Sequence, residues 1–457
     1  MLFNSPVFLI FFLIYVIFQR SLKSSNQLYL IIIGSTMFYT YWYPQYIWVP
    51  YVLIITAFWG GIWINNEKQK KQRKHRLIII LISLILPLLF YKYTNFLYQD
   101  ILGLFFHFND LLFNYPLPLG ISFITFTMMA YTIDVYRQEF PAVKKWALFS
   151  SYTLFFPQLL AGPILRPKEL IPQLDDKKFQ NAQKQVLLGT ALFSIGLFKK
   201  MVIADPIAEI IDPVFNNVNG QNGWCYLLAI YGFSVQIYCD FSGYTDMAIG
   251  TSYILGITLP NNFKQPYLAV SIRDFWRRWH ITLSNWLRDY IYIPLGGNRE
   301  GHFTQMKNVL ITMIIGGIWH GANWTFIVWG FIHGIGIIAS TCFKYLPKCV
   351  CIFITFHFIA IAWIFFRVDS LNTAKLFFIG LFTERWTDGF LFFQHNLYAI
   401  ICIILFFCMH RLDSQHHIKQ VIQKYNKSII WNVIVLIWIL SIVLNTGSSE
   451  KFIYFDF

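Results

Sequence analysis

Repeated apolar runs, many approaching the ~20 residues an α-helix needs to cross a bilayer, set the limits on how this chain folds. They fall near 5–19, 27–43, 46–64, 77–97, 117–136, 185–203, 224–239, 243–258, 307–319, 324–343, 349–366, 397–410 and 429–445. Inside lipid a backbone has no water to bond, so spanning segments are helices or closed barrels. The runs are continuous rather than alternating, which predicts helices. Only 13% of the 457 residues are charged and 56% are hydrophobic; a soluble domain carries about 25% charged residues. The expectation is an all-α, polytopic membrane protein with roughly 11–13 membrane helices or re-entrant segments. The short runs 307–319 and 397–410 suit re-entrant or bundle-buried helices. No internal repeat or linker divides the chain. A single membrane domain over 1–457 is therefore expected, with N-terminal spans in 1–116, a core in 117–345 and C-terminal spans in 346–457.

The formal charge is +14. In a soluble protein that would raise nucleic acid as a partner. Here the cations lie between apolar runs, where the positive-inside rule accounts for them, so the bilayer and not nucleic acid is the expected partner. "NEKQKKQRKHR", 66–76, holds six Lys and Arg and is expected to be cytoplasmic. Counting back through three spans puts the N-terminus outside and Arg20 and Lys23 inside. Counting forward, 98–116 has neither Lys nor Arg and falls outside, and Arg137, Lys144 and Lys145 fall inside. Arg411, Lys419, Lys424 and Lys427 place 411–428 inside and the C-terminus outside. This count does not thread 148–320. The run Pro6–Phe18 has no small-residue cleavage site after it and reads as a retained span. Cys225, Cys239, Cys342, Cys349, Cys351, Cys402 and Cys408 lack zinc-type spacing and read as packing thiols.

Polar residues gather in the middle. "FFPQLLAGPILRP", 155–167, carries Pro157, Gly162, Pro163 and Pro167, which break a helix. In "SIRDFWRRWHITLSNWLRDYIYIPLGGNR", 271–299, a helix over 272–290 would stack Arg273, Arg277 and His280 beside a stripe of Trp276, Trp279, Leu283 and Trp286. Two readings stay open. One is an interfacial helix with tryptophans at headgroup depth and arginines on phosphates. The other is a cationic wall for an anionic substrate such as a phosphorylated carrier or nucleotide. Asp240 and Asp246 lie in apolar "QIYCDFSGYTDMAIGTSYILG", 236–256. A carboxylate there costs on the order of 3 kcal/mol and needs a partner or a task. A salt bridge to an arginine of 273–278 is one reading; a functional carboxylate is the other.

"GGIWHGANWTFIVWGFIHG", 316–334, places His320 and His333 in an apolar stretch. Gly316, Gly317 and Gly321 let another backbone or a substrate approach closely. Asn323, one turn on, could orient an imidazole. A neutral histidine is the usual general base near pH 7; a buried interhelical hydrogen bond is the alternative. On a continuous helix His333 would sit about 220° around from His320. That argues against a shared metal, and no metal site is expected. His357, His395, His410, His416 and His417 receive no role. The chain shows no phosphate loop, no GxSxG elbow and no CxxC pair. Direct transfer between two bound substrates fits better than a serine acyl-enzyme.

"DFWRRWHITLSNWLRDYIYIPLGGNR" followed by "GGIWHGANWTFIVWGFIHG" closely resembles the membrane-bound O-acyltransferase family, nearest its alginate and peptidoglycan O-acetyltransferase branch. "PLGISFITFTMMAYTIDVYR" (118–137), "FPQLLAGPILRP" (156–167), "IYCDFSGYTDMAIG" (237–250), "WIFFRVDS" (363–370) and "FIYFDF" (452–457) are similar to the same branch, so the resemblance covers nearly the whole chain. It implies a helical bundle around a central tunnel in a bacterial inner membrane. It implies that acetyl groups pass from a cytoplasmic donor, acetyl-CoA, to an acceptor on the far side. The histidine of the WHG motif, essential in the family, lands on His320, and that of the RRWH motif on His280. Arg273, Arg277, Arg278, Trp319, Asn323 and Asp240 are the expected substrate-binding residues. No cofactor beyond the donor is implied. A periplasmic SGNH-hydrolase-like protein is the implied partner that acetylates the polymer, whether peptidoglycan or an alginate-like polysaccharide. D-alanyl transfer to teichoic acid is the alternative within the family. A transporter would explain Asp240 and Asp246 but not the two histidine motifs together.

Overall fold

The computed structural model describes residues 1–22, 26–106, 112–113, 115–160, 162–175, 185–340, 345–445 and 452–453. Lys23, Ala161, Cys342 and 454–457 of the motifs and loops above lie outside these. Every regular element among the described residues is helical. Among the described residues, four helices are long and apolar enough to cross a membrane: Pro44–Asn65, Lys70–Tyr93, Val186–Asn216 and Lys348–Arg367. A fifth span is possible by length if Gly389–His395 and Leu397–Leu412, bent by 77°, count together. Shorter apolar helices are Pro6–Ser21, Gln27–Thr40, Trp324–Ala339, Leu371–Thr383 and Lys427–Val443.

Among the elements that differ from the sequence expectation are two helices. The runs 224–239 and 243–258 are one helix, Gly223–Ile254, of 32 residues. Asp240 does not interrupt it because its carboxylate is paired within the protein. Leu371–Thr383 forms a helix where no apolar run was marked, since Lys375 divides its apolar residues.

The chain forms two compact units, 1–190 with 248–260, and 191–247 with 261–457. In the first, Trp48–Asn65, Lys70–Leu88 and Ile121–Arg137 pack as a bundle. Its proline-rich interruption is satisfied by side chains. Phe156 N donates to Ser35 Oγ at 3.1 Å, and Gln158 Nε2 donates to Tyr152 O at 2.6 Å. This is how a broken helix survives away from water.

In the second unit the segment after Phe198 widens into a π-helical turn, Lys199–Ala204. Consecutive residues on a helix point about 100° apart, so Lys199 and Lys200 reach different carboxylates. Lys199 Nζ lies 2.8 Å from Asp246 and 2.7 Å from Asp413. Lys200 Nζ lies 2.7 Å from both Asp205 and Asp240. Tyr238 donates to Asp413 at 2.7 Å, and Ile453 N donates to Asp240 at 2.8 Å. The expected ion pair of Asp240 or Asp246 with an arginine of 273–278 is therefore replaced by pairs to two lysines. Close backbone approach helps: a Cβ on Gly196 would stand 2.4 Å from the Gly243 carbonyl. No larger residue fits there.

Breaking a buried pair by removing one partner costs ~3–5 kcal/mol, because a charge is stranded. Lys200→Met should therefore lower stability by about that amount. Arg288→Met, whose ion pair with Asp289 has the arginine 56% exposed, should cost ~1 kcal/mol or less. Thermal unfolding in one detergent checks the contrast; equal losses would show that the lysine network carries no special weight.

Candidate active site

The site's first wall is 262–287. Ser271 caps Ile272–Trp276 by accepting from Asp274 N at 3.1 Å. That helix ends after five residues, and a second begins at Ile281. Between them His280 adopts φ +41°, ψ +56°, left-handed backbone that a non-glycine residue seldom takes. The continuous helix over 272–290 is thus absent, and Arg273, Arg277 and His280 do not stack on one face. Asn262 holds the break. Its carbonyl accepts from Ile281 N at 3.0 Å, and its side-chain Oδ1 accepts from Thr282 N at 3.2 Å and Thr282 Oγ1 at 2.9 Å. The turn sends the cations outward and the aromatic rings inward. Arg273 and Arg277 are exposed, Arg278 is half-buried against Asp274 at 2.9 Å, and Trp279 and His280 are fully buried.

The Asn262 contacts also set the proton on His280. The Thr282 N–H can only donate, so Asn262 Oδ1 is an acceptor. His280 Nδ1, 3.2 Å from that oxygen, therefore carries the hydrogen, and Nε2 is the basic nitrogen.

The second wall is a helical hairpin, His302–His320 and Trp324–Ala339. Asn323 caps its second helix: Oδ1 accepts from Thr325 N at 3.0 Å, and Nδ2 donates to Asp369 O at 2.7 Å. Its amide is thus engaged in the helix cap. The arms cross closely at glycines. A Cβ on Gly317 would stand 2.2 Å from the Phe326 carbonyl, and one on Gly330 2.4 Å from the Met313 carbonyl. This overturns the continuous-helix geometry for 316–334. Gly321 and Asn323 break the helix, the chain folds back, and His320 and His333 both pack against Trp329, with ring centroids 5.1 and 4.6 Å away.

His320 is 2% exposed. Trp319, Trp329 and Phe366 lie 4.9, 5.1 and 5.2 Å from its ring. Trp319 also meets His280 at 6.1 Å, so one indole touches both motif histidines. Asp240 sits instead in the lysine network. Trp363 adds a further ring, 5.8 Å from Trp329 and 5.0 Å from Trp279. Sequence reasoning gave no role to Asn262, Trp329, Trp363, Phe366, Lys199 or Lys200. Trp363 and Phe366 lay in a quoted motif, "WIFFRVDS"; Asn262 in "LPNNFKQP" carried no signal. Chemically, the cage holds imidazoles where water is scarce, suited to moving a proton on a bound hydroxyl.

A profile of the membrane-bound O-acyltransferase family matches residues 28–410. A peptidoglycan O-acetyltransferase of Helicobacter pylori is 33% identical over 100% of this chain and 98% of its own length. A probable alginate O-acetylase of Pseudomonas putida is 36% identical over 84% of this chain and 80% of its own. A teichoic acid D-alanyltransferase of Streptococcus thermophilus is 28% identical over 63% of this chain and 70% of its own.

Gly330→Ala should force the hairpin arms apart against the Met313 carbonyl, at ~1–3 kcal/mol for overpacking. Because Trp329 is the neighbouring residue, transfer activity should fall together with the melting temperature. A variant with unchanged melting would show that the close crossing is not required.

Proposed function

The chain belongs to the membrane-bound O-acyltransferase family, and from that premise we propose that it passes acetyl groups from acetyl-CoA toward O-acetylation of a cell-envelope polysaccharide. It is a multi-pass membrane protein and an acyltransferase. The observation that carries the mechanism is the burial of His320 among Trp319, Trp329 and Phe366.

The donor enters from the cytoplasm, the side assigned by the basic loop at 66–76. Its phosphates meet Arg273, Arg277 or Arg278, the charged outer face of the 262–287 wall. The thioester reaches inward past Trp319. His320 takes the proton of the acceptor hydroxyl, and the hydroxyl oxygen bonds to the thioester carbonyl carbon. The carbon–sulfur bond breaks, and the departing thiolate recovers the proton from His320. His280, with its basic Nε2, orients the reacting groups. On the far side of the inner membrane, a periplasmic protein of SGNH-hydrolase type takes the acetyl group onward to peptidoglycan or an alginate-like polymer. Both termini lie on that outer side. The similarity to a peptidoglycan O-acetyltransferase over the full chain supports acetyl rather than D-alanyl as the cargo.

Inverted membrane vesicles supplied with labelled acetyl-CoA test this. His320→Ala at matched expression should lose transfer by ~10²-fold or more, the scale of a general base. Equal transfer in both would move the base to His280. No transfer in wild type would point to an aminoacyl carrier as donor. In the same vesicles Arg277→Ala should raise KM for acetyl-CoA several-fold and leave kcat nearly unchanged, since the phosphate contact is the same before and during transfer. A fall in kcat alone would remove Arg277 from donor binding.

A further inference from the structure

The aromatic cage holds a set of hydrogen-bond donors with no acceptors. Trp279, Trp329, Trp363 and His333 are 0, 1, 1 and 0% exposed. The indole Nε1 of each tryptophan, and Nε2 of His333, make no hydrogen bond among the described residues. An indole can only donate. For His333 the tautomer follows from its neighbour: Trp276 Nε1 donates to His333 Nδ1 at 3.2 Å, so the hydrogen of the neutral ring sits on Nε2. Four N–H groups are thus buried, each forfeiting the hydrogen bond it would have in water. Their rings are contiguous: His333 to Trp329 4.6 Å, Trp329 to Trp363 5.8 Å, Trp363 to Trp279 5.0 Å. Trp329 is also in contact with His320 at 5.1 Å.

The missing partner must bring lone pairs without protons or charge. Water brings two hydrogens of its own, for which these four donors offer no acceptor. A phosphate or carboxylate brings negative charge, and the nearby cations Arg273 and Arg277 are exposed on the opposite face of their segment. A neutral carbonyl oxygen fits. We propose that the indole N–H groups of Trp279, Trp329 and Trp363, with His333 Nε2–H, line a subsite beside His320 in which the acyl carbonyl oxygen of the donor thioester accepts from two of them through its two lone pairs. This rests on the thioester-donor reading above and adds a specificity-determining set to it. The same donors face the oxygen as it gains charge during attack, where preorganised N–H groups act most strongly.

The test compares two ligands that differ in that carbonyl alone. Binding of acetyl-CoA and of S-ethyl-CoA, the thioether without the oxygen, is measured on the full chain in detergent. Wild type should prefer acetyl-CoA by about tenfold or more. Trp329→Phe, Trp363→Phe and His333→Phe each keep an aromatic ring and remove one N–H. Two of the four donors bond the oxygen, so at least one of the three substitutions should cut the preference about threefold to tenfold, the worth of one neutral hydrogen bond. A wild-type ratio near one overturns the carbonyl subsite whatever the variants do. A wild-type preference that survives all three substitutions overturns the assignment to these groups and leaves the donor reading standing. Binding of neither ligand by wild type overturns the acetyl-CoA reading itself, and the subsite with it.

Discussion

A backbone within a membrane protein must find partners for every N–H and C=O it frees, because lipid offers none. Each special feature of this chain sits where a helix stops and must meet that demand. At 155–158 the demand is met by Ser35 and Gln158. At His280 it is met by Asn262, which accepts from two consecutive backbone N–H groups, those of Ile281 and Thr282. At 321–323 it is met by Asn323, which caps the next helix and reaches Asp369. The breaks are what allow an imidazole to leave the regular helical lattice and point into a chosen space. A site assembled on unbroken helices would be limited to faces repeating every 3.6 residues.

The lysine–aspartate network answers a different form of the same constraint. Lys199 and Lys200 with Asp205, Asp240, Asp246 and Asp413 bring together two positive and four negative formal charges, the lysines, Asp205 and Asp240 buried and Asp246 and Asp413 half-buried. Pairs like these gain little over apolar packing, yet they penalise any arrangement that separates them. They bind the π-turn, the 32-residue helix and the segment at Asp413 to one register. The network thus fixes position, while the aromatic cage keeps water from the buried imidazoles.

The apolar runs announced the helical membrane fold, and the two histidine motifs pointed to His320 and His280, which the structure places against the same Trp319 indole. The rest was hidden for physical reasons. A spacing of thirteen positions from His320 to His333 reads as two faces of one helix, because nothing in the spacing reveals that Gly321–Asn323 reverses the chain. The reversal converts a 220° separation into a shared contact with Trp329. Asp240 and Asp246 were seen to need partners, but Lys199 and Lys200 lie about 40 residues away in sequence, inside a run that hydropathy treats as one span. Asn262 precedes its site by about 18 residues and belongs to a loop without pattern. Long-range pairing of this kind leaves no local periodicity to read.

The proton balance of the proposed transfer gives the dry cage its logic. A hydroxyl loses one proton and a thiolate gains one, so an imidazole that holds it briefly needs no exchange with bulk water. Solvent near His320 would compete as an acyl acceptor, since the oxygen of water is itself a nucleophile toward the thioester carbonyl. Packing Trp319, Trp329 and Phe366 around the ring excludes that competitor. The cost is that polar groups in the cage lose their hydration, and each must then be matched by the substrate. On the proposed reading, a set of unpartnered indole and imidazole N–H groups turns that cost into selectivity, because a carbonyl oxygen supplies acceptors that they otherwise lack. Discrimination is strongest where a missing group would leave buried donors unpaired.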